Sequence, residues 1–110
     1  MKAFQFNPKF HYTPSIEEIA ETHQCYWLIT IVDSYIHVLK SKYKDEYFFS
    51  INLKVNENGS ATFTISSEHY GQLEDKEKKI IIKQEIPTTT LEHDQTWWLV
   101  DNCLMIPSDY

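Results

Sequence analysis

The sequence predicts a single compact α+β domain over residues 1–110, with N-terminal helices at about 15–23 and 27–44 packed on an antiparallel sheet of about four strands. Three observations carry this. Residues 27–44 divide into an apolar and a polar arc when laid out at 100° per residue. Residues 47–67 form two alternating runs around a turn and accept one register. The helical pattern comes before the alternating ones, which is the order of a helical layer laid on a sheet.

In chain order, Lys2–Phe6 has the composition of a short strand that Asn7-Pro8 breaks. Pro14-Ser15 then opens a helix. Ser15 is the expected N-cap and Glu18, three residues on, completes a capping box; Ile16, Ile19 and Ala20 line one side. Residues 26–32 are β-branched and aromatic, so local propensity alone favours a strand there. Over the longer window, Trp27, Leu28, Ile29, Ile31, Val32, Tyr35, Ile36, Val38, Leu39 and Tyr43 share one arc. Thr30, Asp33, Ser34, His37, Lys40, Ser41 and Lys44 share the other, with Lys42 the misfit. Eighteen residues in phase outweigh a weak local preference, which predicts a long helix. The rival is a strand at 25–32 followed by a shorter helix or second strand.

In the hairpin, Tyr47, Phe49, Ile51, Leu53 and Val55 alternate with Phe48, Ser50, Asn52 and Lys54. Ala61, Phe63 and Ile65 return opposite Ser60, Thr62, Thr64 and Ser66. A two-residue Asn58-Gly59 turn would mix the faces. A three-residue loop, Glu57-Asn58-Gly59, pairs Val55 with Ala61, Leu53 with Phe63 and Ile51 with Ile65, with Gly59 left-handed. Residues 68–79, with Gly71 and a charged run, read as a solvated loop or a helical turn. Residues 80–86 read as a strand with Ile80, Ile82 and Ile86 on one face and Ile81, Lys83 and Glu85 on the other. Pro87 and three threonines end it. Thr96–Ile106 supplies one or two closing strands. This order resembles the cystatin-like and NTF2-like α+β rolls in outline. The resemblance is architectural, and such a fold transfers no function by itself.

The composition, with 42% apolar residues, is that of a packed domain. No apolar run is long enough for a membrane span, and Lys2 is followed by no apolar segment of a secretion signal, so a cytoplasmic protein is expected. Two cysteines, Cys25 and Cys103, are too few for a disulfide framework, although one bridge is compatible with the count. The net charge is −6 and all ten basic residues are Lys. Without the bidentate phosphate binder Arg, an acidic chain is a poor match for nucleic acid. It suits a basic protein partner, whose approach the field would accelerate; solubility alone is the plainer explanation.

Catalytic patterns are weak. Asp33 and His37 stand at i,i+4 on the polar arc of the long helix, but the spacing indicates no third ligand and a solvated pair is expected. Glu68-His69 and Glu92-His93-Asp94 have acid–base residue types in loops, where neighbours seldom converge on one atom. Zinc-protease, phosphate-loop and serine-hydrolase motifs are missing, and two glycines cannot build a phosphate cradle. Cys25 and Cys103 fall in apolar segments and read as core cysteines. Neither catalytic residues, a metal nor a cofactor is expected.

The aromatic residues say more. Trp97 and Trp98 are adjacent on a strand and must face opposite sides. Trp98 then shares an outer face with Phe48, Ile81, Thr62 and Thr64, unless residues 1–13 or 88–95 fold over it. The expectation is a small acidic non-enzymatic protein that sequesters or inhibits a macromolecular partner. An immunity protein against a basic, nuclease-like toxin and a phage-type inhibitor of a host defence protein are the two cases. Its contact residues would be Trp98 and Phe48, with the loop carboxylates Glu68, Glu74, Asp75, Glu77, Glu92 and Asp94. The alternatives are an NTF2-like ligand carrier or enzyme, with a pocket near Tyr35, His37 or Asp101, and a subunit that pairs with its own copy as a homodimer.

Overall fold

The computed structural model describes residues 2–4, 7–67 and 80–110. Among the described residues there are two α-helices and seven strands. In chain order they are β1 (Lys2–Phe4), β2 (Asn7–Tyr12), α1 (Pro14–Thr22), α2 (Tyr26–Lys42), β3 (Phe48–Val55), β4 (Ala61–Ser66), β5 (Ile80–Ile86), β6 (Gln95–Val100) and β7 (Cys103–Met105), before a 3₁₀ turn at Pro107–Asp109. The strands form one sheet in the order β1-β2-β7-β6-β3-β4-β5. The fold is α+β, but the expected antiparallel sheet of about four strands is too small. Moreover, β2 and β7 run parallel, with His11 opposite Cys103 and Tyr12 opposite Leu104. The added strands β1, β2 and β7 lie towards one end of the sheet; β1 pairs with its chain neighbour β2, β7 pairs with its neighbour β6, and the β2–β7 pair joins segments distant in sequence. Asn7-Pro8 does not end strand structure. Pro8 lies in β2 outside the span that bonds to β7, so its missing N–H removes no bond from that pair.

The helix 1 start lies two residues earlier than expected. Thr13, not Ser15, is the N-cap: its Oγ1 accepts from the Ile16 N–H at 3.4 Å, and Pro14 supplies the preset first helical φ. The long helix prevails over the strand reading of 25–32, spanning Tyr26–Lys42 rather than 27–44. Its buried stripe is Leu28, Ile29, Val32, Ile36 and Leu39; Trp27, Ile31, Tyr35 and Tyr43 flank it, and Val38 is exposed.

The hairpin has the expected register: Val55–Ala61, Leu53–Phe63 and Ile51–Ile65 pair, and Gly59 has φ +86°. Phe49, Ile51, Leu53, Phe63 and Ile65 enter the core with Trp97, Leu99 and Leu104. Tyr47, assigned to the same face, is instead 60% exposed, because it precedes β3 in the connection from α2. In β5 a register shift between the partners of Ile65 and Ser66 makes Ile81 a bulge residue. Ile81 therefore packs against the core edge beside Ile82 instead of joining the outer face.

Both helices cover one side of the sheet. The connection from β5 to β6 crosses at the hairpin tip, where Thr89 N–H donates to Gly59 O. Thr90 Oγ1 donates to His23 O and accepts from Trp27 Nε1, tying that connection to the α1–α2 corner. Leu91 is buried there. The closing segment is two strands joined by Asp101-Asn102, both at positive φ (47° and 66°), the geometry of a two-residue hairpin turn.

Candidate functional site

The two tryptophans part as their adjacency requires. Trp97 is 1% exposed in the core, and its Nε1 donates to Gln95 Oε1. Trp98 is half-buried on the opposite side, between Ser50 of β3 and Met105 of β7. Phe48 pairs with Val100, one step along the same face, so it is a diagonal neighbour of Trp98. Their ring centroids are 5.1 Å apart at 61°. The third ring is Tyr110, 5.6 Å from Trp98 and 6.3 Å from Phe48, edge-on to both. The periodicity of the strands could not place it, since it follows the last strand.

Two carboxylates hold this trio. Asp109 Oδ2 accepts from Thr13 Oγ1 at 2.7 Å and from the Ile106 N–H at 3.2 Å, and Oδ1 accepts from Ser15 Oγ at 3.0 Å. The N-cap residue of α1 thus anchors the segment that carries Tyr110. Partial desolvation pushes the Asp109 carboxyl up; the bonds from Thr13, Ser15 and Ile106 outweigh it and leave it below its ordinary value. Glu46 is the second carboxylate, only 8% exposed. Its Oε1 accepts from the Tyr47 and Phe48 N–H groups, and its Oε2 from Ser67 Oγ at 2.7 Å. It fixes the backbone at Phe48 and ties the start of β3 to the end of β4. Sequence reading missed it, because a carboxylate beside Lys44 and Asp45 resembles an ordinary solvated charge run.

Of the expected acidic contacts, the two among the described residues, Glu92 and Asp94, do not gather at this face. Glu92 is exposed in the β5–β6 connection. Asp94 has a structural bond, accepting from the Val55 N–H at 2.8 Å, and lies about 13 Å along β6 from Trp98. Glu68, Glu74, Asp75 and Glu77 lie outside the described residues. Residues 88–95 run past the hairpin tip and β2 joins the sheet beside β7, so the backbone of neither segment, among the described residues, folds over Trp98.

The remaining candidates supply little chemistry. His37 is exposed and Asp33 half-buried on α2; among the described residues no group of three or more metal-ligating side chains converges. Cys25 is a core cysteine whose Sγ donates to Ile19 O, and burial pushes its thiol up. Cys103 is not in the core as expected. It is half-buried on the Trp98 side, because Leu104 takes the inward position; burial raises its thiol too. Neither forms a disulfide. A cavity of about 390 Å³ opens where α2 ends over the sheet, with an apolar floor of Ile36, Leu39, Phe49 and Leu99 and with Lys40 and Asp101 among its polar lining. Tyr35 does not line it and instead donates to Gln84 Oε1 at 2.6 Å. Among the described residues no helix is long and apolar enough to cross a membrane.

A family model described as a family of unknown function (DUF6876) matches residues 2–110. No curated protein matches the chain, and no solved structure does.

Proposed function

We propose that this chain, which belongs to the DUF6876 family, is a small binding protein that docks a basic protein partner on the outer face of its sheet. The observation behind this reading is the Phe48–Trp98–Tyr110 trio, built from three remote parts of the chain on the side away from the helices. Trp and Tyr are the side chains that most often dominate interface energy, and Val100 and Met105 extend the patch. Asp101 follows Val100 in sequence and Asp109 precedes Tyr110, so the flanking charge is negative and matches the net charge of −6. The role is sequestration: an immunity protein that occupies a nuclease-like toxin, or a phage-type inhibitor that holds a host defence protein. Affinity capture with wild-type and Trp98→Lys baits tests it. One basic protein held by the wild type, released by rising salt and lost with Trp98→Lys supports the reading. An unchanged set of captured proteins defeats it.

The cavity beside α2 favours a second reading, a carrier of small ligands. Its volume is within the usual range for such sites, and its floor is apolar with charged groups at hand. Thermal-shift screening separates the two. A stabilising small molecule that Leu39→Trp excludes would support the carrier.

A further inference from the structure

We infer that β5 is a dimerisation edge, pairing antiparallel with β5 of a second copy in a register centred on Gln84. Among the described residues β5 is the outermost strand on its side of the sheet. The hairpin shows which backbone groups of β5 turn away from β4. Asn56 N–H donates to Ser60 O, so these two residues form a hydrogen-bonded pair. Alternation then aims the backbone groups of Ala61, Phe63 and Ile65 at β5, where they meet Ile86, Gln84 and Ile82. Lys83 and Glu85 consequently direct their N–H and C=O groups away from β4, along an edge that no other described strand pairs with.

Three independent features choose the register. The bulge at Ile81 and Pro87 limit the regular span to Ile82–Ile86, whose midpoint is Gln84. A two-fold axis at Gln84 sets Lys83 opposite Glu85 of the second copy, twice, and these are the residues whose backbone groups face outward. The same axis sets Ile82 opposite Ile86 on the inner face, twice. Centring on Lys83 places that lysine against its own copy and runs across the bulge. Centring on Glu85 opposes two carboxylates and requires an N–H from Pro87, which has none. The Gln84 register forms about four backbone hydrogen bonds, so the dimer is weak and concentration-dependent. This edge lies beyond β4 from Trp98, and the inference does not depend on the aromatic face.

Sedimentation velocity on the full chain, from about 10 μM to about 1 mM, reads the equilibrium directly. Wild type is expected to dimerise with rising concentration. Lys83→Glu and Glu85→Lys each replace two attractive pairs with repulsive ones and weaken the dimer about tenfold. The double variant Lys83→Glu/Glu85→Lys restores it to within about twofold, an outcome that simple damage to the fold cannot produce. Far-UV circular dichroism confirms that all three variants are folded, as these side chains are exposed. A monomer at every concentration overturns the inference. So does a dimer insensitive to Lys83→Glu, or one abolished by Trp98→Lys, which would put the second copy on the aromatic face instead.

Discussion

Truncating each of the adjacent tryptophans in turn separates the two faces of the sheet. Trp97 is 1% exposed and packed among the core residues, so Trp97→Ala removes a side chain that buries about 150–250 Å² and leaves a cavity. The expected loss is about 3–5 kcal/mol. Trp98 is half-buried and gives up two edge-on ring contacts, with Phe48 at 5.1 Å and Tyr110 at 5.6 Å, each worth about 0.5–1.5 kcal/mol. Its expected loss is about 1–3 kcal/mol. With a urea m-value of about 1.5 kcal/mol/M, the midpoint falls by about 2–3 M for Trp97→Ala and by about 0.7–2 M for Trp98→Ala. Far-UV circular dichroism should follow the unfolding, because fluorescence changes with the substitution itself. Equal midpoints, or a larger loss at Trp98, would mean that the outer face is covered, and the docking surface would have to be abandoned.

Glu46→Ala removes a buried acceptor of three hydrogen bonds, including that of the buried Ser67 hydroxyl, and should cost about 2–4 kcal/mol by urea titration. A loss below about 0.5 kcal/mol would show that Glu46 does not organise the start of β3. The Asp109 carboxyl has a lowered pKa in the fold, so its contribution is complete above the unfolded carboxylate range, near pH 4, and is lost as pH falls through the lower folded value. The near-UV signal of the Phe48–Trp98–Tyr110 rings should therefore weaken in acid for the wild type and be weak already at neutral pH for Asp109→Ala. An acid transition of unchanged size in Asp109→Ala would show that the anchoring of Tyr110 does not depend on that carboxylate.

Much of the fold was legible because it repeats. Eighteen residues in helical phase outweighed the β propensity of residues 26–32, and the tertiary cover of the sheet rewards that phase. The unread strand was β2: Asn7-Pro8 reads locally as a break, and pairing with β1 and, in parallel, with β7 makes the segment a strand. β1 and β7 were legible, β1 within the short strand at Lys2–Phe6 and β7 as the second closing strand within Thr96–Ile106. The N-cap was misplaced by two residues because Thr13 and Ser15 both suit the position. Only the chain path shows that Ser15 bonds to Asp109, while Thr13 caps the helix and bonds to Asp109 as well. At the candidate site, the outward face of Phe48 and the opposition of Trp97 and Trp98 were legible from alternation. Tyr110, Asp109 and Glu46 were not, since each acts through a partner distant in sequence or through a backbone group.

The sequence by itself determined the hairpin register, because slipping residues 47–67 by one position would expose every apolar side chain of a strand at once. It also determined that Trp97 and Trp98 face opposite ways, a consequence of the two-residue period of a strand. Tertiary structure alone decided which of the two enters the core. That choice followed from the face of β3 that α2 covers, and Trp97 lies opposite Ile51 on it. Tertiary structure also brought Tyr110 to Trp98, through a carboxylate held by the first turn of a helix more than ninety residues away. Local periodicity reports which residues share a face, whereas closing so long a loop depends on contacts that no window of sequence contains.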